Sequence, residues 1–100
     1  MAIPIKLRKE LEDDPFMEQC IYEGCTNVPE FEHAMIFANR QVNKKWAIVP
    51  CCYYHHRGDG LDKDFNKYCA LIRATDEDLA EFPKSDFPQQ KIYLTSKYEK

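Results

Sequence analysis

Residues 20–25 read Cys-Ile-Tyr-Glu-Gly-Cys, and residues 51–56 read Cys-Cys-Tyr-Tyr-His-His. Between them, Glu32-His33 falls within an apolar, strand-like run. All three histidines of the chain lie in this frame. Zinc prefers four tetrahedral sulfur and nitrogen ligands, commonly delivered as pairs from tight turns. Cys20 and Cys25 make one pair, Cys52 and His55 the other, and together they predict a structural zinc knuckle. Cys51 competes with Cys52. Cys52 has the tighter spacing to His55, whereas Cys51 would alternate with Ala47 and Val49 on one strand face. Cys69 falls on a helical stripe and reads as core. The plainer alternative is that these cysteines are small buried hydrophobes.

Working outward, one hundred residues make a single domain. A chain this short buries about 60–70% of its unfolded surface, so a metal staple would help it fold. A hydrophobic fraction of 44% excludes a disordered chain. Five cysteines, two of them adjacent, do not make a clean disulfide framework. The N-terminus alternates charge and apolar residues and lacks a signal-peptide core, which points to the reducing cytoplasm. No apolar run is long enough to span a bilayer, so no membrane partner is expected. The net charge of −3 weighs against nonspecific nucleic-acid binding. The cations are unevenly placed, however. Arg40, Lys44, Lys45, Arg57 and Lys63 sit in or beside the central frame, while acids crowd residues 10–18 and 76–86.

The element pattern is α+β. Pro4, Ile5, Leu7 and Leu11 predict a short helix ending near Asp13-Asp14-Pro15, within an N-terminal unit of residues 1–19. Phe31 to Phe37 reads as a strand, Asn39 to Lys45 as a polar loop, and Trp46 to Val49 as a second strand stopped by Pro50. Leu61, Phe65, Cys69 and Ile72 form one helical stripe. Thr75 with Asp78 predicts a capping box opening a short helix through Phe82, and Asp86 with Pro88 starts a last helix carrying Ile92 and Tyr93. Trp46, Tyr53 and Tyr54 are expected to pack against the knuckle.

The frame Cys20-x4-Cys25, Glu32-His33, Cys52-Tyr53-Tyr54-His55-His56 resembles the HNH endonucleases of the ββα-metal (His-Me finger) class, over about residues 20–73. It looks most like small phage-associated HNH proteins. The resemblance implies a ββα-metal core with a structural zinc knuckle and flanking helices, residues 74–100 supplying the C-terminal ones. It implies a DNA endonuclease acting in the cytoplasm, of phage origin and inside the host cell. In the family spacing the middle asparagine falls at Ala47, and Asn43 or Asn39 in the preceding loop are its candidate substitutes.

Phosphodiester hydrolysis needs an activated water, a charge sink and help for the leaving oxygen. A neutral histidine suits the base role at cellular pH, and His33 is the candidate. His56 is the second catalytic candidate, with Glu32 the other ligand of a divalent Mg²⁺ or Mn²⁺ ion. Arg40, Lys44, Lys45 and Arg57 are candidate phosphate clamps. The expected partner is DNA, branched or single-stranded, with a homodimer as an open alternative. The competing reading is a non-catalytic zinc module that binds nucleic acid or protein, with the acidic net charge and Ala47 in its favour. A third is an accessory protein that self-associates through residues 75–98.

Overall fold

The structure is a computed structural model that describes residues 3–99. Helix α1 (Ile5–Glu12) starts after Pro4, whose missing N–H costs nothing at a helix entrance, and buries Leu11. A 3-10 turn over Pro15–Glu18 follows, capped by the Asp14 side chain, which accepts from the Phe16 N–H. Ile3, Leu11 and Met17 pack with Ile48 in a small cluster of their own.

Two antiparallel two-stranded sheets follow. Strand β1 (Pro29–His33) pairs with β4 (Ile48–Cys52), setting Glu32 opposite Val49 and His33 opposite Ile48. Strands β2 (Ile36–Phe37) and β3 (Arg40–Gln41) form a hairpin. The single strand expected from Phe31 to Phe37 is therefore broken. The Ala34 N–H bonds the Ala47 carbonyl on the β4 side, but the next residue, Met35, gives its carbonyl to the Val42 N–H. The backbone changes partner between them. The expected loop from Asn39 contains β3, reached by a two-residue turn with Ala38 and Asn39 both at positive φ (52° and 64°), the geometry that matches strand twist.

The second strand also differs from its sequence reading. Lys45–Ala47 is a 3-10 turn, and β4 runs through Pro50 to Cys52. The Pro50 carbonyl points away from β1, accepting from the Ile21 N–H at 2.9 Å. The imide nitrogen of Pro50 therefore faces the same outer side, and the Phe31–Pro50 pair needs no ladder bond from it.

Helix α2 (Tyr53–Arg57) leaves β4 directly, and α3 (Lys63–Leu71) begins at Asp62, whose carboxylate caps the Phe65 N–H. The capping box is present: Thr75 accepts from the Asp78 N–H while Asp78 accepts from the Thr75 N–H, opening α4 (Asp76–Ala80). Helix α5 (Phe87–Tyr98) packs on α3. Its core face is Phe87 and Leu94, with Tyr98 half-buried; Ile92 and Tyr93 are 72% and 62% exposed. The stripe on α3 is likewise rotated, burying Asn66, Cys69, Ala70 and Leu71 and leaving Leu61 and Ile72 exposed. Trp46 lies in the main core, its ring edge-on to Phe82 and Phe87 at 6.2 and 6.0 Å, away from the knuckle. No helix among the described residues is long and apolar enough to cross a membrane.

Candidate metal centre and adjoining cleft

The loop after the first 3-10 turn carries Cys20 and Cys25, and the β4–α2 junction carries Cys52 and His55. Their ligand atoms all lie within 4.8 Å of one another. The Cys25 and Cys52 sulfurs are 3.8 Å apart, and His55 Nδ1 is 3.3 Å from Cys20 Sγ and 3.2 Å from Cys52 Sγ. A tetrahedron with metal–sulfur bonds of about 2.3 Å has sulfur–sulfur edges of about 3.8 Å, and sulfur–nitrogen edges of about 3.5 Å with nitrogen at about 2.0–2.1 Å. The four side chains thus fit one zinc ion through three sulfurs and Nδ1. All five cysteines are free thiols, so no disulfide competes.

Surrounding groups support the thiolates. The Cys52 backbone N–H points at Cys20 Sγ (3.4 Å), and Asn27 Nδ2 at Cys52 Sγ (3.8 Å). Burial opposes ionisation of Cys52, but hydrogen bonds from the His55 backbone and from the Asn27, Cys25 and His55 side chains outweigh it and bring the thiol down to about 6. Its neighbour Cys51 is pushed up by burial and stays a thiol in the core, as does Cys69, pushed up to about 11. The strand pleat thus separates ligand from core at adjacent cysteines. Tyr22 lies flat on the His55 ring, with centroids 3.8 Å apart and planes 10° apart. Tyr53 and Tyr54 are mostly exposed; Tyr54 meets His55 only edge-on.

Beside the knuckle, a cleft of about 560 Å³ is lined by Arg8, Glu30, Glu32, His33, Gln41, His56 and Arg57, with Ile3, Pro29 and Phe31. His33 and His56 therefore open onto one space. His33 Nε2 is 2.7 Å from Asn43 Oδ1, so of the two loop asparagines Asn43 is brought to the histidine, while Asn39 is used by the β2–β3 turn. Ala47 is fully buried in the core.

His56 sits between two carboxylates: Nδ1 is 2.7 Å from Glu30 Oε1, and Nε2 is 3.2 Å from Glu32 Oε1. Glu30 and Glu32 share a strand face, as period two dictates. Burial, the largest influence, raises the Glu32 pKa, while His56 and the Asn66 hydrogen bond pull it the other way. Of the donors here, the two carboxylates are of the type Mg²⁺ and Mn²⁺ take, whereas an imidazole suits softer divalent ions. Both ring nitrogens are nevertheless engaged by carboxylate oxygens, so an ion at His56 would take the place of a proton there. Among the described residues the cysteine–histidine knuckle is the one group of three or more side chains whose ligand atoms converge.

Of the expected phosphate clamps, Arg57 lines the cleft and lies 3.4 Å from Glu30. Arg40 is exposed on β3 and is not among the cleft residues. Lys44 and Lys45 pair with Glu81 and Asp14 and line a separate cleft with Trp46 and Arg73. Sequence reasoning missed Glu30, Arg8, Tyr22 and Asn66. The strand period from Glu32 could have found Glu30. Nothing in the sequence marks the other three.

Comparison with family models, curated proteins and solved structures finds no match to this chain.

Proposed function

We propose that this protein is a metal-dependent endonuclease that hydrolyses DNA phosphodiesters, with the β1–β4 hairpin and α2 serving as a ββα-metal (His-Me finger) core. The observation that carries this reading is the opening of His33 and His56 onto one cleft, flanked by Arg8 and Arg57. His33 is the general base. With Asn43 Oδ1 accepting from Nε2–H, Nδ1 keeps its lone pair and can take a proton from water. Asn43 thereby does the orienting work expected of an asparagine at the position of Ala47. Arg57 and Arg8 attract the phosphate; a bidentate guanidinium contact would fix its orientation. Glu32 and His56, with Glu30 beside them, are the side chains that would hold a divalent ion, which when bound supplies positive charge at the phosphate. The zinc knuckle fixes the start of α2 and so the position of His56.

The test is nicking of supercoiled plasmid in Mn²⁺ or Mg²⁺, with a chelator control. The expected result is nicking by the wild type and none by His33→Ala, at unchanged zinc content and fold. Equal nicking by both proteins sinks the assignment.

A second reading has its own support: His56 has both nitrogens on carboxylates, and Ala47 leaves the family slot without an amide. On that reading the protein is a non-catalytic zinc module that docks on nucleic acid or protein. It expects no metal-dependent turnover and, for DNA, binding that weakens with salt.

A further inference from the structure

Asn66 is the one polar side chain fully buried among the described residues, at 2% exposure on α3. A buried carboxamide persists when its polar atoms find partners, and here Oδ1 and Nδ2 each have at least one. Oδ1 faces two donors, the Tyr22 hydroxyl at 3.1 Å and the Cys51 thiol at 3.7 Å. Nδ2 donates to Glu32 Oε2 at 3.0 Å, and because a carboxylate only accepts, this contact fixes which end of the amide is nitrogen. The other Glu32 oxygen meets His56 Nε2. At the opposite end of the chain of contacts, the Tyr22 ring is the one stacked on His55 of the knuckle. An unbroken series thus runs from the metal ligand to the cleft: His55, Tyr22, Asn66, Glu32, His56.

We propose that Asn66 is a positioning residue, which holds the Glu32 carboxylate against His56 and, through Tyr22, ties that geometry to the zinc knuckle. As a role in catalysis it rests on the endonuclease reading; as a statement about the geometry of Glu32 and His56 it stands apart from it. A free carboxylate on a strand has several rotamers. Fixing one oxygen through a buried amide leaves the other aimed at a single place. An aspartate at position 66 would set two carboxylates against each other. Loss of the Tyr22 hydroxyl would leave the amide oxygen held by Cys51 alone.

The test uses the full zinc-loaded chain as wild type, Asn66→Asp and Tyr22→Phe. Three quantities are measured: zinc content with the melting temperature, kcat and KM for Mn²⁺-dependent plasmid nicking, and the ring ¹⁵N shifts of His56 and His33 at one fixed pH. Partners that orient a metal-site side chain are typically worth 10–100-fold in activity. Asn66→Asp is expected to lower kcat by about that factor with KM little changed, to keep zinc, and to move the His56 shifts while leaving His33 in place. Tyr22→Phe keeps the ring and its stacking, so it should fold even where Asn66→Asp does not, and should move the His56 shifts by a smaller amount. His56 shifts identical to wild type in the folded variants would overturn the proposal, because a purely structural asparagine changes stability without touching that ring. If the wild type does not nick DNA, the endonuclease reading fails while the His56 shifts still decide the role of Asn66.

Discussion

Removing the metal is the perturbation with the largest expected effect. The knuckle joins the loop at Cys20–Cys25 to the end of β4 and the start of α2, so it ties parts of the chain that are otherwise linked through the β1–β4 pairing. A structural zinc ion contributes about 10–16 kcal/mol of binding free energy at neutral pH in small zinc-folded units. A domain of this length has a total stability of about 5–15 kcal/mol. The first quantity is as large as the second, so the metal-free chain should not stay folded. Trp46 is the single tryptophan of the chain, and it is buried against Phe82 and Phe87 rather than at the knuckle. Its fluorescence therefore reports the core. Chelation, with metal loss verified by elemental analysis, should shift that emission to the red and abolish a cooperative melting transition. Zinc should restore both at one equivalent, and cobalt should give the absorption of a thiolate-rich tetrahedral site. Metal-free protein with native Trp46 emission and an unchanged melting temperature would refute the argument, because the core would then be standing without its staple.

Three smaller effects follow from contacts elsewhere in the fold. Arg73 Nη2 donates to Asp14 Oδ2 at 2.8 Å, and this hydrogen bond, against burial and with help from Phe16 and Lys45, holds the Asp14 carboxyl below its usual range. A folded pKa below the unfolded one stabilises above the unfolded value, about 3.9, and that stabilisation is lost as pH falls through the folded value. Arg73→Met should cost about 1–3 kcal/mol at pH 6, and its difference from wild type in thermal melts should close at acid pH; a pH-independent difference would contradict the pairing. Leu94→Ala should cost about 2–5 kcal/mol while Ile92→Ala stays within about 0.5 kcal/mol, checked by urea unfolding; equal costs would mean α5 packs on another face. Thr75→Ala removes half of the capping box and should cost about 0.5–2 kcal/mol, which for a domain this size is a fall of about 4–8 °C per kcal/mol.

The ligand set of the knuckle was legible because spacing carries it: two residues in one tight turn must converge, and Cys52-x2-His55 is such a turn. The choice of Cys52 over Cys51 rests on its two-residue spacing to His55, and it is Cys52 that meets His55 while Cys51 lies in the core. Local chemistry also gave the start of α1 at Pro4, the Thr75–Asp78 box and the start of α5 near Asp86. Where the sequence reading diverged, the cause was non-local. Pro50 reads as a strand stop, yet β4 passes through it, because only the pairing with β1 reveals that its nitrogen faces the outer side. The run from Phe31 to Phe37 looks continuous until Ala34 and Met35 bond to different partners.

Sequence by itself determined which residues can bind a metal, since ligand chemistry and turn spacing are properties of short segments. Only the tertiary structure decided what surrounds them. His33 meets Asn43, His56 is held between Glu30 and Glu32, and Asn66 reaches Glu32 from a helix more than thirty residues away. Lys44 and Lys45 face acids on another surface. Such partners are set by how strand, knuckle and helix pack, and a hydrogen bond depends on angstroms of placement that no residue type encodes alone.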